Sequence, residues 1–139
     1  MSADKWSWPE VELTEVSRKN LALALELEVS NSEFYFCAAR KASNEADQVM
    51  FKRLAKVERE HADTIVKLLK SGGHEIQKDK ELCSDENADN LHESNERETR
   101  AIEHYGRFLS EASEERVREV FSAIIEIEKD HLSLSEGRF

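Results

Sequence analysis

The chain has 139 residues, of which 36% are charged and 39% apolar, with one proline, four glycines and a formal charge of −10. That length suits a single domain with a real core, and so few breakers among so many Glu, Lys, Arg, Leu and Ala predict long helices. The acidity argues against nucleic acid, whose phosphates need a basic footprint, and against an anionic membrane surface; no apolar run approaches the ~20 residues that span a bilayer.

Ser7-Trp8-Pro9-Glu10 reads as a helix start, with Ser as cap and Pro in the first turn. Trp6 and Trp8 are expected to cover a bundle end or a neighbouring subunit. The first long helix is predicted over about residues 14–42, with Leu21, Ala24, Leu25, Tyr35, Ala38, Ala39 and Ala42 inward. Asn44 caps a second, over about 45–71, with Met50, Phe51, Leu54, Val57, Ile65 and Leu68 inward, and Gly72-Gly73 ends it. Residues 72–84 form a polar connection. A third helix runs from about 85 to 112 with Ile102, Tyr105, Phe108 and Leu109 inward. Ser113 caps a fourth, to about 135, with Val117, Val120, Phe121, Ile124 and Ile127 inward. No strand pattern appears. The expected fold is all-α: two helical hairpins, about 14–71 and 85–135, joined by one longer connection.

The hairpins repeat a polar signature. Glu28 and Glu98, Tyr35 and Tyr105, Glu58 and Glu128, and His61 and His131 are each 70 residues apart. An ExxH pair alone is weak evidence in so acidic a chain. The tyrosines are more specific: only two exist, each has Glu seven residues before it, and each lies 23 residues before an ExxH glutamate. Residues three apart on a helix share a face, so Glu58 with His61, and Glu128 with His131, can grip one metal together. These faces are also the apolar faces. Four carboxylates pointed into a core are untenable unless neutralised, and two divalent cations match their charge. Carboxylate oxygen with imidazole nitrogen suits iron or manganese better than a soft metal.

This pattern resembles the ferritin-like di-iron carboxylate superfamily, and most closely its rubrerythrin branch, over about residues 21–135. The resemblance implies a single ferritin-like four-helix bundle over residues 1–139 that holds two iron ions, with manganese or mixed metals as substitutes. Glu28 and Glu98 would be terminal ligands, Glu58 and Glu128 would bridge, and His61 and His131 would each bind one metal. Tyr35 would bond Glu98, and Tyr105 would bond Glu28, each across the hairpins. The implied activity is reduction of peroxide or dioxygen. An iron-binding or ferroxidase role without peroxide turnover, and a helical interaction module with a structural metal, are the alternatives. The partners implied are an external electron donor such as a rubredoxin, and a second copy of the chain in a homodimer.

Three departures bear on that activity. Rubrerythrins carry another glutamate three residues after the third-helix ligand, where this chain has Ala101. The C-terminal rubredoxin domain is missing from the 139 residues, and only eight residues follow His131, too few for the fifth helix of cage ferritins.

The remaining polar residues are assigned blander roles. His74 is read as solvated, and His92 and His104 as surface residues. Glu33, Glu60, Glu103 and Glu126 are read as exposed charges. Asn31 and Ser32, one turn after Glu28, either border an access route or make helix–helix contacts. Cys37 and Cys83 form no CxxC. Cys37 is expected as a packed thiol, and two scattered thiols fit a reducing cytosol. The N-terminal segment has neither a basic n-region nor an apolar h-region, so the expected location is the cytoplasm.

Overall fold

In a computed structural model, residues 11–70 and 73–136 are described; the helix start at residues 7–10 and both tryptophans lie outside them. Four helices follow in chain order: α1 (Glu15–Lys41), α2 (Glu45–Leu69), α3 (Asn87–Glu111) and α4 (Glu115–Glu136). No strand occurs among the described residues, and no helix is long and apolar enough to cross a membrane.

The helix starts follow local chemistry. Thr14 caps α1 by accepting the Ser17 N–H at 3.1 Å, and Asn44 caps α2 by accepting the Asp47 N–H at 2.8 Å. Two boundaries differ from the sequence expectation. The left-handed residue that ends α2 is Lys70, with φ 56°, rather than a glycine. The first helical bond of α4 runs from Arg118 N–H to the Glu114 carbonyl, so the cap falls at Glu114, one residue beyond Ser113.

α1 packs along α2, and α3 along α4; the two hairpins meet mainly through α1 and α3. Cross-helix bonds fix the direction. Ser17 reaches Glu114, Asn20 reaches Glu111, and Arg97 reaches Asn31. Residue numbers rise on α1 as they fall on the partner segment, so α1 and α3 are antiparallel. α2 and α3 therefore run parallel, and the bundle closes within one chain. The connection must travel the length of the bundle to allow this. It runs back beside α1, meeting Asp63 through His74, then Glu33 through Gln77 N–H, then Cys37 through Cys83.

The apolar residues form two cores rather than one. One, at the α1 N-terminal end, includes Leu21, Ile65, Tyr105, Phe108, Phe121 and Ile124. The other includes Phe34, Tyr35, Phe51, Leu54 and Leu91. Between them lies a layer of buried charge. Ile127, expected inward, is 37% exposed; it lies on the flank of the α4 face set by Phe121, Ile124, Glu128 and His131, on the side opposite Ile125.

Candidate metal centre

The layer between the cores is built from one position on each of two helices and an ExxH pair on each of the other two. Glu28 of α1, Glu58 of α2, Glu98 of α3 and Glu128 of α4 are each 0% exposed, while His61 and His131 are 7% exposed. Ligand-capable atoms fall into two groups, each within 4.8 Å: Glu28, Glu58, His61 and Glu128, then Glu58, Glu98, Glu128 and His131. Glu58 and Glu128 belong to both. The structure therefore brings together all six residues singled out by the 70-residue repeat.

Each imidazole turns its Nδ1 inward. His61 Nδ1 lies 3.4 Å from Glu28 Oε1, and His131 Nδ1 lies 3.2 Å from Glu128 Oε1 and 3.5 Å from Glu58 Oε1. Both cross-hairpin tyrosine bonds are present. Tyr105 Oη donates to Glu28 Oε2 at 2.5 Å, and Tyr35 Oη donates to Glu98 Oε1. Each bond leaves the carboxylate's second oxygen without a donor.

The electrostatics are severe. Burial first, then the charges of Glu28, Glu128 and Glu98, pushes the Glu58 carboxyl well above its ordinary range. Burial pushes Glu128 up to about 8, against the pull of His131. His131, which burial alone would lower, is raised to about 9 by Glu128 and Glu98. Burial and the neighbouring carboxylates raise both tyrosines well above their usual value, so their hydroxyls stay protonated as donors.

Even so, the layer is not satisfied by protein groups. Glu28 Oε1, both oxygens of Glu58 and of Glu128, Glu98 Oε2 and the Nδ1 atoms of His61 and His131 are buried without a hydrogen-bond partner. A packed interior leaves few such atoms, and eight converging in one layer match what cations would occupy. The donor set, carboxylate oxygen with imidazole nitrogen, fits iron or manganese.

Several neighbours were not legible as site residues. Ser94 Oγ lies 3.0 Å from Tyr35 Oη; because Tyr35 donates to Glu98, Ser94 is the donor in this second bond. Its counterpart in the first half of the repeat is Ala24, so the two tyrosines are held differently. Ser94 stands one turn before Glu98, and that spacing was its signal. Arg97 lies over the Phe34 ring at 4.5 Å, donates to Asn31 Oδ1 at 2.9 Å and pairs with Glu93 at 2.9 Å. Ser32 donates to the Ala55 carbonyl at 2.8 Å. Asn31 and Ser32 thus make helix–helix contacts.

Two residues read as solvated are not. Glu33 is 4% exposed and accepts the Gln77 N–H at 2.9 Å, because the connection lies over it. His74, half-buried, sits 2.6 Å from Asp63. Glu60, Glu103, Glu126 and His92 are exposed as expected, and His104 stacks on Phe108. The cysteine reading is also overturned: Cys37 and Cys83 form a disulfide. Their separation of 46 residues carries no pairing signal; the returning connection brings them together. The bond removes the thiol argument for a reducing compartment.

Comparison with known proteins adds one finding. The family model described as Rubrerythrin matches residues 19–136. No curated protein and no solved structure matches the chain.

Proposed function

Because the chain belongs to the rubrerythrin family, we propose that its buried layer holds two iron ions and that the loaded protein is an oxidoreductase acting on peroxide or dioxygen. The observation that carries this reading is the set of unpartnered buried oxygens and imidazole nitrogens arranged as two groups sharing Glu58 and Glu128. Glu28 and His61 would complete the hold on one ion, and Glu98 and His131 on the other. Bound there, the metal pair would supply the redox change that reduction of peroxide or dioxygen requires.

The chain's own contribution is orientation and exclusion of water. Tyr105 fixes Glu28 through one oxygen and leaves the other for a cation; Tyr35 does the same for Glu98. The apolar residues above and below the layer keep solvent from the carboxylates. Electrons would come from an external donor protein of the rubredoxin type, and a homodimer is the proposed assembly.

One observation favours a second reading. Ala101 is fully buried where relatives of this kind carry an additional glutamate, so the site lacks a fifth carboxylate. That favours an iron-handling ferroxidase without repeated peroxide turnover. Metal analysis with anaerobic spectroscopy, on protein purified without added metal, separates the cases. Two irons per chain, oxidised quickly by peroxide and cycled by a reductant, support the first reading. One round of oxidation followed by iron release supports the second. Protein that takes up no iron from an anaerobic ferrous solution contradicts both.

A further inference from the structure

We propose that the Cys37–Cys83 disulfide is a thiol–disulfide exchange site, opened at Cys83 by an external dithiol, and that its reduction frees the connection from α1. The proposal concerns the returning connection and does not depend on the metal.

The connection crosses the bundle along the outward side of α1, the helix that carries Glu28 and Tyr35. Its other ties are non-covalent. His74 meets Asp63, Gln77 and Lys80 meet Glu33, and Arg40 donates to the carbonyls of Lys78 and Lys80. Lys41 pairs with Glu81 at 2.7 Å and with Asp85 at 2.5 Å. Most of these lie at the exposed surface, as hydrogen bonds or ion pairs that contribute little individually. The disulfide is the one covalent clasp, and no other cysteine exists in the sequence to exchange with it.

The two sulfurs are not equivalent. Cys37 is 0% exposed, whereas Cys83 is half-buried in the connection. Exchange depends on access to the attacked sulfur. A thiolate of the dithiol therefore attacks Cys83 Sγ, the Sγ–Sγ bond breaks, and Cys37 leaves as a thiolate that takes a proton from solvent as the connection lifts. The second thiolate of the dithiol then attacks its own sulfur in the mixed disulfide and releases Cys83. Two electrons and two protons pass to the protein, and the dithiol becomes a disulfide.

The bundle does not need the bond to keep its shape. Of the connection, only Cys83 packs against either core, and the bonds from α1 to α3 and to Glu114 are independent of it. A reduced Cys37 remains a small apolar side chain in a packed site. What changes is the cover over Glu33 and over the groove of about 400 Å³ between α1 and the connection, lined by Leu25, Val29, Glu33, His74 and Leu82.

The test uses the full chain. Peptide mapping without reductant should show Cys37 joined to Cys83, and a thioredoxin-type dithiol protein should release two titratable thiols from folded protein. Trypsin should then cut after Lys78 or Lys80 about tenfold faster, with helical circular dichroism unchanged, and reoxidation should restore protection. Cys83→Ser, and the double variant Cys37→Ala/Cys83→Ala, should be cut at the fast rate with or without the dithiol. The proposal is overturned if both thiols titrate freely in unreduced native protein. It is equally overturned if the bond opens only when the helices unfold, or if cleavage is equally fast in oxidised and reduced chains.

Discussion

Tyr35 and Glu98 stand 63 residues apart in sequence, and the hydroxyl of the first donates to the carboxylate of the second inside the bundle. Ser94 supports that hydroxyl from one turn away on α3, whereas Tyr105 has no matching serine in its bond to Glu28. A difference between the two halves follows. Removing either hydroxyl loosens a carboxylate of the layer, and loss of such an orienting bond lowers metal affinity by roughly 10–100-fold. In Tyr35→Phe the Ser94 hydroxyl, one helical turn before Glu98, loses its acceptor and is expected to turn toward that carboxylate. Tyr105→Phe leaves Glu28 Oε2 without any donor. Competition with a chelator should show the larger loss in Tyr105→Phe; equal losses, or the reverse order, would count against the role assigned to Ser94.

The bundle and its buried layer were legible because they rest on periodicity. A helix repeats every 3.6 residues, so Glu28 and Tyr35, or Glu58 and His61, declare a common face without any structure. The duplicated 70-residue offset then joined faces on separate helices. What periodicity cannot encode is the course of an irregular segment. The burial of Glu33, the pairing of His74 with Asp63 and the Cys37–Cys83 bond all depend on where the connection lies, and each was misread for that reason. The α4 cap was legible but missed: Glu114 stands 70 residues after the capping Asn44, and the repeat pointed to it rather than to Ser113. Ile127 failed because a face has flanks, and at its edge an apolar residue can be left in solvent.

The layer that suits two cations should destabilise the chain without them. In the metal-free protein Glu58 is buried among three other carboxylates, and neither of its oxygens has a hydrogen-bond donor. Glu58→Met keeps similar volume and removes the buried polar group. Replacing buried charge by packed apolar side chains stabilises by about 1–4 kcal/mol. The low end applies here, since burial already drives Glu58 toward its neutral form. Urea unfolding of chelator-treated protein should therefore show the variant about 1–2 kcal/mol more stable than the parent. The same variant should lose both metals together, because Glu58 belongs to both groups. A less stable apo-variant, or one that keeps one metal at full affinity, would refute the shared position.

The disulfide should contribute through the unfolded chain. It closes a loop of 46 residues that contains all of α2. In the chain-entropy account a loop of that size is worth about 4 kcal/mol. Cys83→Ser should thus lower the unfolding free energy by roughly 2–4 kcal/mol, with the parent matching the variant once reduced. Chemical unfolding with and without reductant measures both. A parent whose midpoint ignores reductant would show that the bond lends the fold nothing.

Glu114 provides the pH-dependent tie at the opposite end of the bundle. Its carboxylate accepts the Thr14 N–H at 2.9 Å and the Ser17 hydroxyl at 2.6 Å, joining the first turn of α1 to the start of α4. Partial burial pushes its carboxyl up, but these bonds outweigh that and hold it below the ordinary value of 4.5. A carboxyl lowered in the folded state stabilises fully above its unfolded pKa, and the contribution is lost as pH falls through the folded value. Glu114→Gln should cost about 0.5–1 kcal/mol at pH 7, the low end for bonds to a charged group at a partly exposed site. The gap between parent and variant should hold steady down to about pH 5 and close progressively below it. Thermal unfolding at pH 7, 5, 4 and 3 reads this directly. A gap that stays constant across the series would mean that the carboxylate charge is not what joins the two helix ends.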